Sequence, residues 1–318
     1  MSIINPIGGY FEMEVRTGVH YHKNAIKLNT ACCCFEYVLR ARQYRKVYIP
    51  YYTCEVMLKP LKRLGIDYEF YHINERLELD NAPVLNGGEA FLYTNYFGLK
   101  QSYVKHLAQV YGNQLIVDNA QAFYAEPISE IDTFYSARKF FGVPDGAFLY
   151  TDKRLDYDLE QDISYERMAH LLKRLELGAE AGYNDFKKND ELLSNDRIKL
   201  MSKLTDKLLK GVDYDSAKRQ RRENYLFLES VLGTSNLIHL KMDDDATPLV
   251  YPYLTNNQEL KYKLISNKIF VATYWPNVFN WCKKDDWEYT LAEKMAFIPI
   301  DQRYGKKDMQ SIIETIKT

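Results

Sequence analysis

No run of 18 or more apolar residues occurs in the 318-residue chain, so no segment reads as a membrane-spanning helix. The amino terminus, MSIINPIGGYFEMEV, has neither a basic n-region nor an apolar h-region, and the protein is expected to stay in the cytosol. Net charge is nearly absent as well: 42 Lys and Arg against 43 Asp and Glu leave −1, with no global pull towards nucleic acid or anionic membrane. Neither is expected as a partner, and any basic site must be local. Five cysteines, three of them consecutive (Cys32, Cys33, Cys34) and two isolated (Cys54, Cys282), lack the even spacing of a disulfide framework and are read as reduced thiols. Adjacent cysteines on a helix point in different directions, which disfavours zinc. No G-x-G-x-x-G follows a strand-like run, which removes support from a dinucleotide-binding enzyme. Internal repeats and low-complexity segments are also missing.

What is present is a chain 46% hydrophobic, long enough for one large domain and a smaller one. Pro6 to Phe11 has turn punctuation, and Phe11, Met13 and Val15 alternate as in a short strand, so residues 1–24 are expected to form an arm or lid. From Ala25 the pattern is strand, then helix over 31–43 behind Thr30, then strand at Val47–Pro50, helix through Val56, Leu58 and Leu61 to Gly65, and strand at Tyr68–His72. Strand-like runs at Glu89–Thr94 and Gln114–Val117 bracket a helical pattern at Ser102–Tyr111. This cadence predicts an α/β domain over residues 25–233, a largely parallel sheet flanked by helices. Ligands in such sheets gather at the carboxyl ends of strands, where Asn95, Asp118 and the Ser136–Lys139 loop all fall. Helical patterns follow at Tyr165–Leu177 and Asp196–Leu232, the second carrying the basic run Lys218, Arg219, Arg221, Arg222, read as a solvated face. The polar stretch Gly178–Asn195 between them is read as a loop crossing to a second copy of the chain. Residues 234–318 are expected to form a smaller α+β domain, with strands at Leu249–Leu254 and Ile269–Thr273 and helices at Asn257–Ser266 and Lys307–Lys317.

The stretch TFYSARKFFGVPDGAFLY, Thr133–Tyr150, carries the sharpest chemistry. Lys139 lies between Ser136 and Phe140–Phe141–Gly142, neighbours expected to desolvate its ammonium and favour a nucleophilic amine; a surface lysine is the plainer reading. Asp118 follows a buried strand 21 residues earlier, where it serves equally as an Asx turn or as a carboxylate facing a ligand. Thr30 caps a helix whose first N–H groups suit a phosphate, or merely caps it.

Taken in chain order, Val117-Asp118-Asn119-Ala120-Gln121, Ser136-Ala137-Arg138-Lys139 and Gly142-Val143-Pro144-Asp145-Gly146-Ala147 resemble the E-D-A-A-Q and S-x-x-x-x-K…G-G signatures of the DegT/DnrJ/StrS-type nucleotide-sugar aminotransferases, fold type I enzymes dependent on pyridoxal 5'-phosphate. The resemblance runs nearly end to end: Asn29-Thr30-Ala31-Cys32 matches the S-G-T phosphate turn, Pro50-Tyr51-Tyr52-Thr53 the P-x-x-T segment, Tyr96-Phe97-Gly98 the aromatic-Gly step and Ile298-Pro299-Ile300 the late L-P strand. It implies a pyridoxal phosphate site in which Lys139 carries the cofactor as a Schiff base, Asp118 pairs with the pyridinium nitrogen and Gln121 lies near the phenolic oxygen. Thr30, the Ala31 and Cys32 amides and Ser136 would hold the phosphate, with Tyr52 and Asn95 completing the cofactor site. It further implies an aminotransferase that moves nitrogen from an amino acid, glutamate by resemblance, to a keto sugar linked to a nucleotide, in glycan biosynthesis, as a homodimer.

Four departures mark a divergent, shortened branch. Ala31 replaces the phosphate-turn glycine, Cys54 the aromatic after the P-x-x-T threonine, and Asp145 the first glycine after the lysine, while Ser136 stands three residues before Lys139 instead of five. The family's G-x-N-Y-R segment, whose asparagine reaches the site of the opposite protomer, has only Gly182-Tyr183-Asn184 as a counterpart. A cofactor-binding relative without activity is the main rival; a dehydratase relative would be expected to carry histidine where Lys139 stands.

Overall fold

The computed structural model describes residues 7–318. In chain order the regular elements are β1 (Ile26–Leu28), α1 (Ala31–Arg42), β2 (Lys46–Pro50), α2 (Leu58–Leu64), β3 (Asp67–Tyr71), β4 (Glu89–Thr94), α3 (Gln101–Tyr111), β5 (Leu115–Asn119), β6 (Asp132–Ser136) and β7 (Ala147–Tyr150). There follow α4 (Ala169–Leu177), α5 (Tyr183–Ser194), α6 (Lys203–Lys210), α7 (Tyr214–Leu232), β8 (Val250–Leu254), α8 (Leu260–Ser266), α9 (Val278–Trp281), α10 (Trp287–Lys294), β9 (Met295–Pro299) and α11 (Lys306–Lys317). Seven strands form one sheet in the order β1-β7-β6-β5-β4-β2-β3, parallel from β6 through β3 and antiparallel where β7 joins β6 and β1. The expected α/β architecture is therefore present, and β8 and β9 pair antiparallel in a separate two-stranded sheet.

The period of two along each strand sorts the core into two layers. Ala90 and Leu92 of β4, Ile116 of β5 and Phe134 of β6 pack towards Phe35, Val38 and Leu39 of α1 and Leu58 and Leu61 of α2. Phe91, Tyr93, Val117 and Tyr135 pack on the opposite face, in a continuous cluster with Val104 and Leu107 of α3, Tyr225 and Leu228 of α7 and the inner residues of β8 and β9. Asp118 pairs in register with Thr94 and Phe134, so it shares the α1 face with Phe134, and so does Ser136 two residues further on.

Several expectations are corrected. Pro6 lies outside the described residues; Gly8 and Gly9 bend the chain at φ 87° and 102°, but Phe11–Val15 forms no strand, and Phe11 and Met13 are exposed. A lone alternation without a neighbouring strand has no partner for its backbone groups. The arm is instead pinned at its far end, where His22 donates from Nε2 to the Phe123 carbonyl (2.8 Å) inside a cage of Phe123, Tyr135 and Phe148, and burial pushes its pKa down to about 4. Gly178–Asn195 is largely the helix α5, not a loop, while Asp196–Ser202 is non-helical and a break at Gly211–Asp213 divides α6 from α7. Ile269–Thr273 forms no strand; β9 takes the place beside β8.

Nor is the basic run of α7 uniformly solvated. Arg221 is buried and donates to the Leu249 carbonyl (3.0 Å), to Gln302 Oε1 (3.0 Å) and to the Phe140 carbonyl (3.4 Å), with its guanidinium over the Phe140 ring. It thereby joins α7 and the segment before β8 to the residue after Lys139. Removing it takes the side-chain donor from the buried Leu249 carbonyl, leaves the Phe140 carbonyl with Gln302 Nε2 alone and opens a cavity, so Arg221→Ala is expected to cost about 2–4 kcal/mol, read as a lowered midpoint in urea unfolding.

Candidate active site

The site begins at Asn29, which is buried between β1 and α1. Its side-chain oxygen accepts from the Thr30 and Lys199 N–H groups, and its amide donates to the Arg197 carbonyl. Its own carbonyl accepts from Gly146 N at 2.6 Å, and Gly146 O in turn accepts from Ala137 N at 3.1 Å, which locks the Lys139 turn beside the start of α1. Gly146 cannot be replaced freely: its φ is +115°, and a Cβ there would lie 2.8 Å from Thr205 Cγ2. Thr30 caps α1 as the sequence suggests, its Oγ1 accepting from Cys33 N at 3.0 Å, while Cys34 N bonds the Thr30 carbonyl. The amides of Ala31 and Cys32 precede any intrahelical acceptor, and no acidic residue occupies the first turn. An uncompensated dipole end with two available N–H groups is thus open to an anion.

Asp118 sits at the carboxyl end of β5 facing this helix. It is buried, and Oδ1 accepts from Ala120 N at 2.8 Å, the Asx turn considered above. Burial raises its pKa, while the charge of Lys139 and the Ala120 N–H work in the opposite direction. Gln121, also buried, accepts from Phe97 N through Oε1 at 3.0 Å, but its Nε2 has no partner. Phe97 at φ 59° and Gly98 at φ 76° make the close turn that presents this N–H. A Cβ on Gly98 would come within 3.1 Å of the Thr247 carbonyl. Lys139 closes a single 3-10 turn after β6. Its side chain is exposed, and among the described residues it has no hydrogen-bond or ion-pair partner. The expected desolvation by aromatic neighbours is therefore corrected: Phe140 and Phe141 turn into the core around Phe123, away from the amine. Ser136, buried, precedes the turn with its hydroxyl uncommitted.

Cys54 is drawn into the same place, since the charges of Lys139 and Asp118 both act on its thiol, whose pKa burial pushes up. Tyr52 is completely buried against Tyr96 and Trp275, with a hydroxyl that finds no partner. Asn95 is committed to its turn, Nδ2 donating to Gln101 Oε1 (2.9 Å) and Oδ1 accepting from Lys100 N (3.0 Å). Asp145 is not a surface replacement for glycine: its buried carboxylate accepts from Ser202 N (2.8 Å), Ser202 Oγ (2.7 Å) and Thr205 Oγ1 at the start of α6. The five cysteines are free thiols, and among the described residues no group of three or more His, Cys, Asp or Glu is placed to hold a metal.

Asp118 and Lys139 feel each other's charge and both act on the Cys54 thiol, Asp118 acts also on Cys34 in the first turn of α1, and the unpaired Gln121 amide follows Asp118 three residues on. Solved structures share this architecture, each alignment covering 92% of the present chain. DesV from S. venezuelae, in complex with a ketimine intermediate, is 16% identical with 84% of its chain covered and a TM-score of 0.63. A DegT DnrJ EryC1 StrS aminotransferase from Brucella abortus is 13% identical (85% covered, TM-score 0.61), and the GDP-4-keto-6-deoxymannose-3-dehydratase ColD is 13% identical (88% covered, TM-score 0.64). The chain has the sugar-aminotransferase fold. No family model and no curated protein matches its sequence.

Within this sugar-aminotransferase fold, residues of α5 add to the site in a way the sequence did not suggest. Arg138, next to Lys139, donates from Nη2 to Asp190 Oδ1 at 2.7 Å, and Asn189 Nδ2 donates to the Pro144 carbonyl at 2.8 Å. The signal was the arginine beside the lysine, but with 178–195 read as a loop it had no partner to point to.

Because Asp118 is buried with a raised pKa, the folded state holds its proton more tightly than the unfolded chain does. Stability should fall as pH rises above the ordinary value of 3.8 and through the raised folded value. Asp118→Asn keeps the acceptor for Ala120 N and removes the charge. The ligand-free variant is therefore expected to melt above the wild type at pH 7 and with it near pH 3, as thermal scans across that range will test.

Proposed function

We propose that the chain is a pyridoxal phosphate-dependent aminotransferase that moves the amino group of an amino acid, glutamate, onto a keto sugar linked to a nucleotide, in the cytosol and in the service of glycan biosynthesis. The observation that carries this reading is the mutual effect of the Asp118 and Lys139 charges beside the open start of α1. The Gln121 Nε2, buried without a partner, would be satisfied by an acceptor on a bound group. Bound pyridoxal phosphate supplies an electron sink for the carbon that bears the transferred nitrogen.

The residues divide that work. The Ala31 and Cys32 N–H groups, with the Thr30 and Ser136 hydroxyls, would hold the phosphate at the positive end of α1. Asp118, whose charged form Lys139 favours against the larger effect of burial, would face the ring nitrogen and keep it protonated. Gln121 Nε2 would donate to the phenolic oxygen. Lys139 Nζ would hold the cofactor's aldehyde group and, when free of it, would serve as the general acid and base of the transfer. Exposure suits an amine that must be reached by both substrates.

Lys139→Ala removes only an accessible side chain and is expected to fold and to take up the cofactor at α1. Borohydride should then fix no label to the chain, and transamination should fall ~10²–10⁴-fold, the usual loss for a positioned acid–base group. Visible spectra, mass spectrometry after reduction and single-turnover rates provide the measurement; wild-type rates in the variant would defeat the assignment.

A two-fold homodimer forms part of the proposal. Support comes from α4 and α5, where Leu172, Leu175 (81% exposed), Leu177 (72%), Tyr183 and Phe186 lie open, an apolar surface that a second copy would cover. Sedimentation should give twice the chain mass for the wild type and the chain mass for Leu175→Asp; a wild-type monomer with full activity rejects it.

A further inference from the structure

A cavity of about 40 Å³ lies among the turn after β4, the start of α3, the segment after β5, α7 and the segment before β8. That is room for about three water-sized groups, the size of one carboxylate. Two residues of its wall, Tyr124 and Thr247, hold side-chain hydroxyls that are buried and bond to nothing among the described residues. Buried hydroxyls are as a rule satisfied, and two left open on residues of one cavity call for an occupant that accepts from both.

The charges around the cavity narrow the choice of occupant. Lys218, Arg221 and Arg222 stand at i, i+3 and i+4 on α7 and so share one side of the helix. All three bear on the cavity: Lys218 is part of the wall, Arg222 donates to the carbonyl of Ala246 in the wall, and the charge of the buried Arg221 acts on the Tyr124 hydroxyl. The Arg221 guanidinium bonds only neutral acceptors, at Leu249, Gln302 and Phe140, and among the described residues none of the three cations forms an ion pair. A buried cation without a counter-ion and an unpaired ammonium together favour an anion. Glu126 and Asp245, both exposed, also belong to the wall. They oppose a ligand of two or more negative charges and suit a cationic group next to the anion.

We propose that this cavity binds a small α-amino acid, whose carboxylate accepts from Tyr124, Thr247 and Lys218 and whose ammonium donates to Glu126 and Asp245. It is a second site, independent of the aminotransferase reading: Lys139, Asp118 and Cys54 are not in its wall, and no residue of α4 or α5 is.

The test uses the full-length protein after borohydride reduction, which fixes any aldehyde held on Lys139, so that an amine probe meets no reactive carbonyl. Calorimetry compares glycine with acetate, methylamine and inorganic phosphate. Glycine is expected to bind once per chain and about 10-fold more tightly than any of the other three. Lys218→Met should weaken glycine about 10–100-fold, as for loss of a charge-assisted hydrogen bond, and Glu126→Gln only several-fold, because that carboxylate is exposed. Thr247→Val removes an unpaired buried hydroxyl at nearly constant shape, so the free variant should melt at or above the wild type while its affinity for glycine falls about 10-fold. A wild type that binds no glycine overturns the site, as does unchanged glycine affinity in Lys218→Met and Thr247→Val variants that melt no lower than the wild type. Inorganic phosphate bound more tightly than glycine overturns the amino-acid assignment.

Discussion

A carboxylate held out of water at the end of a central strand is the constraint on which the rest of this site depends. Burying a charge of that size costs on the order of several kcal/mol per ion after relaxation, and the chain meets the cost with only one N–H, from Ala120, and the field of Lys139. Each neighbouring feature can be read as a response. Helix α1 turns its unneutralised positive end towards the same face of the sheet, and Lys139 is delivered by the adjacent strand. The register that sets Asp118 beside Thr94 and Phe134 makes this geometry unavoidable: slipping β5 by one residue would turn Asp118 into the opposite layer, among Tyr93 and Tyr135.

The departures from the family signatures are coherent with this frame. Asp145 exchanges a flexible position for a buried carboxylate that ties the turn after Lys139 to the start of α6. Gly146, beside it, is kept because no side chain fits against Thr205 at that φ. Ala31 is compatible with an anion seat because the seat is made of backbone N–H groups in helical conformation, which alanine supplies as well as glycine does. Nothing in the structure explains the replacement of an aromatic by Cys54.

Most of the sheet was legible in the sequence because its strands are buried on both faces and read as continuous apolar runs, and because the helices over them have strong periodicity and plain stops, such as Gly65 in the left-handed region after α2. The candidate chemical residues could be named because their order along the chain follows the family signatures. What escaped is of another kind. Arg221 carries the sequence signature of a solvated helix, yet its place is fixed by carbonyls far away in the chain, at Phe140 and Leu249. Polar composition hid α5, whose buried face consists of little more than Asn189 and Leu193. Ile269–Thr273 has β-rich residues and no partner strand, so local preference had nothing to pair with.

The exposure of Lys139 changes how its reactivity should be understood. The sequence suggested an amine made nucleophilic by the aromatic residues that follow it, but those side chains are occupied with Phe123, Tyr124 and Arg221. Phe140 and Phe141 therefore act as an anchor: they hold the turn rigid, and Arg138 on the other side is held by Asp190. Between two fixed neighbours, Lys139 alone is left to move. The proposed role, first to hold the cofactor and then to move a proton, calls for a rigid backbone with a free side chain. Among the described residues Lys139 is exposed, so desolvation of the amine is not built into the segment itself.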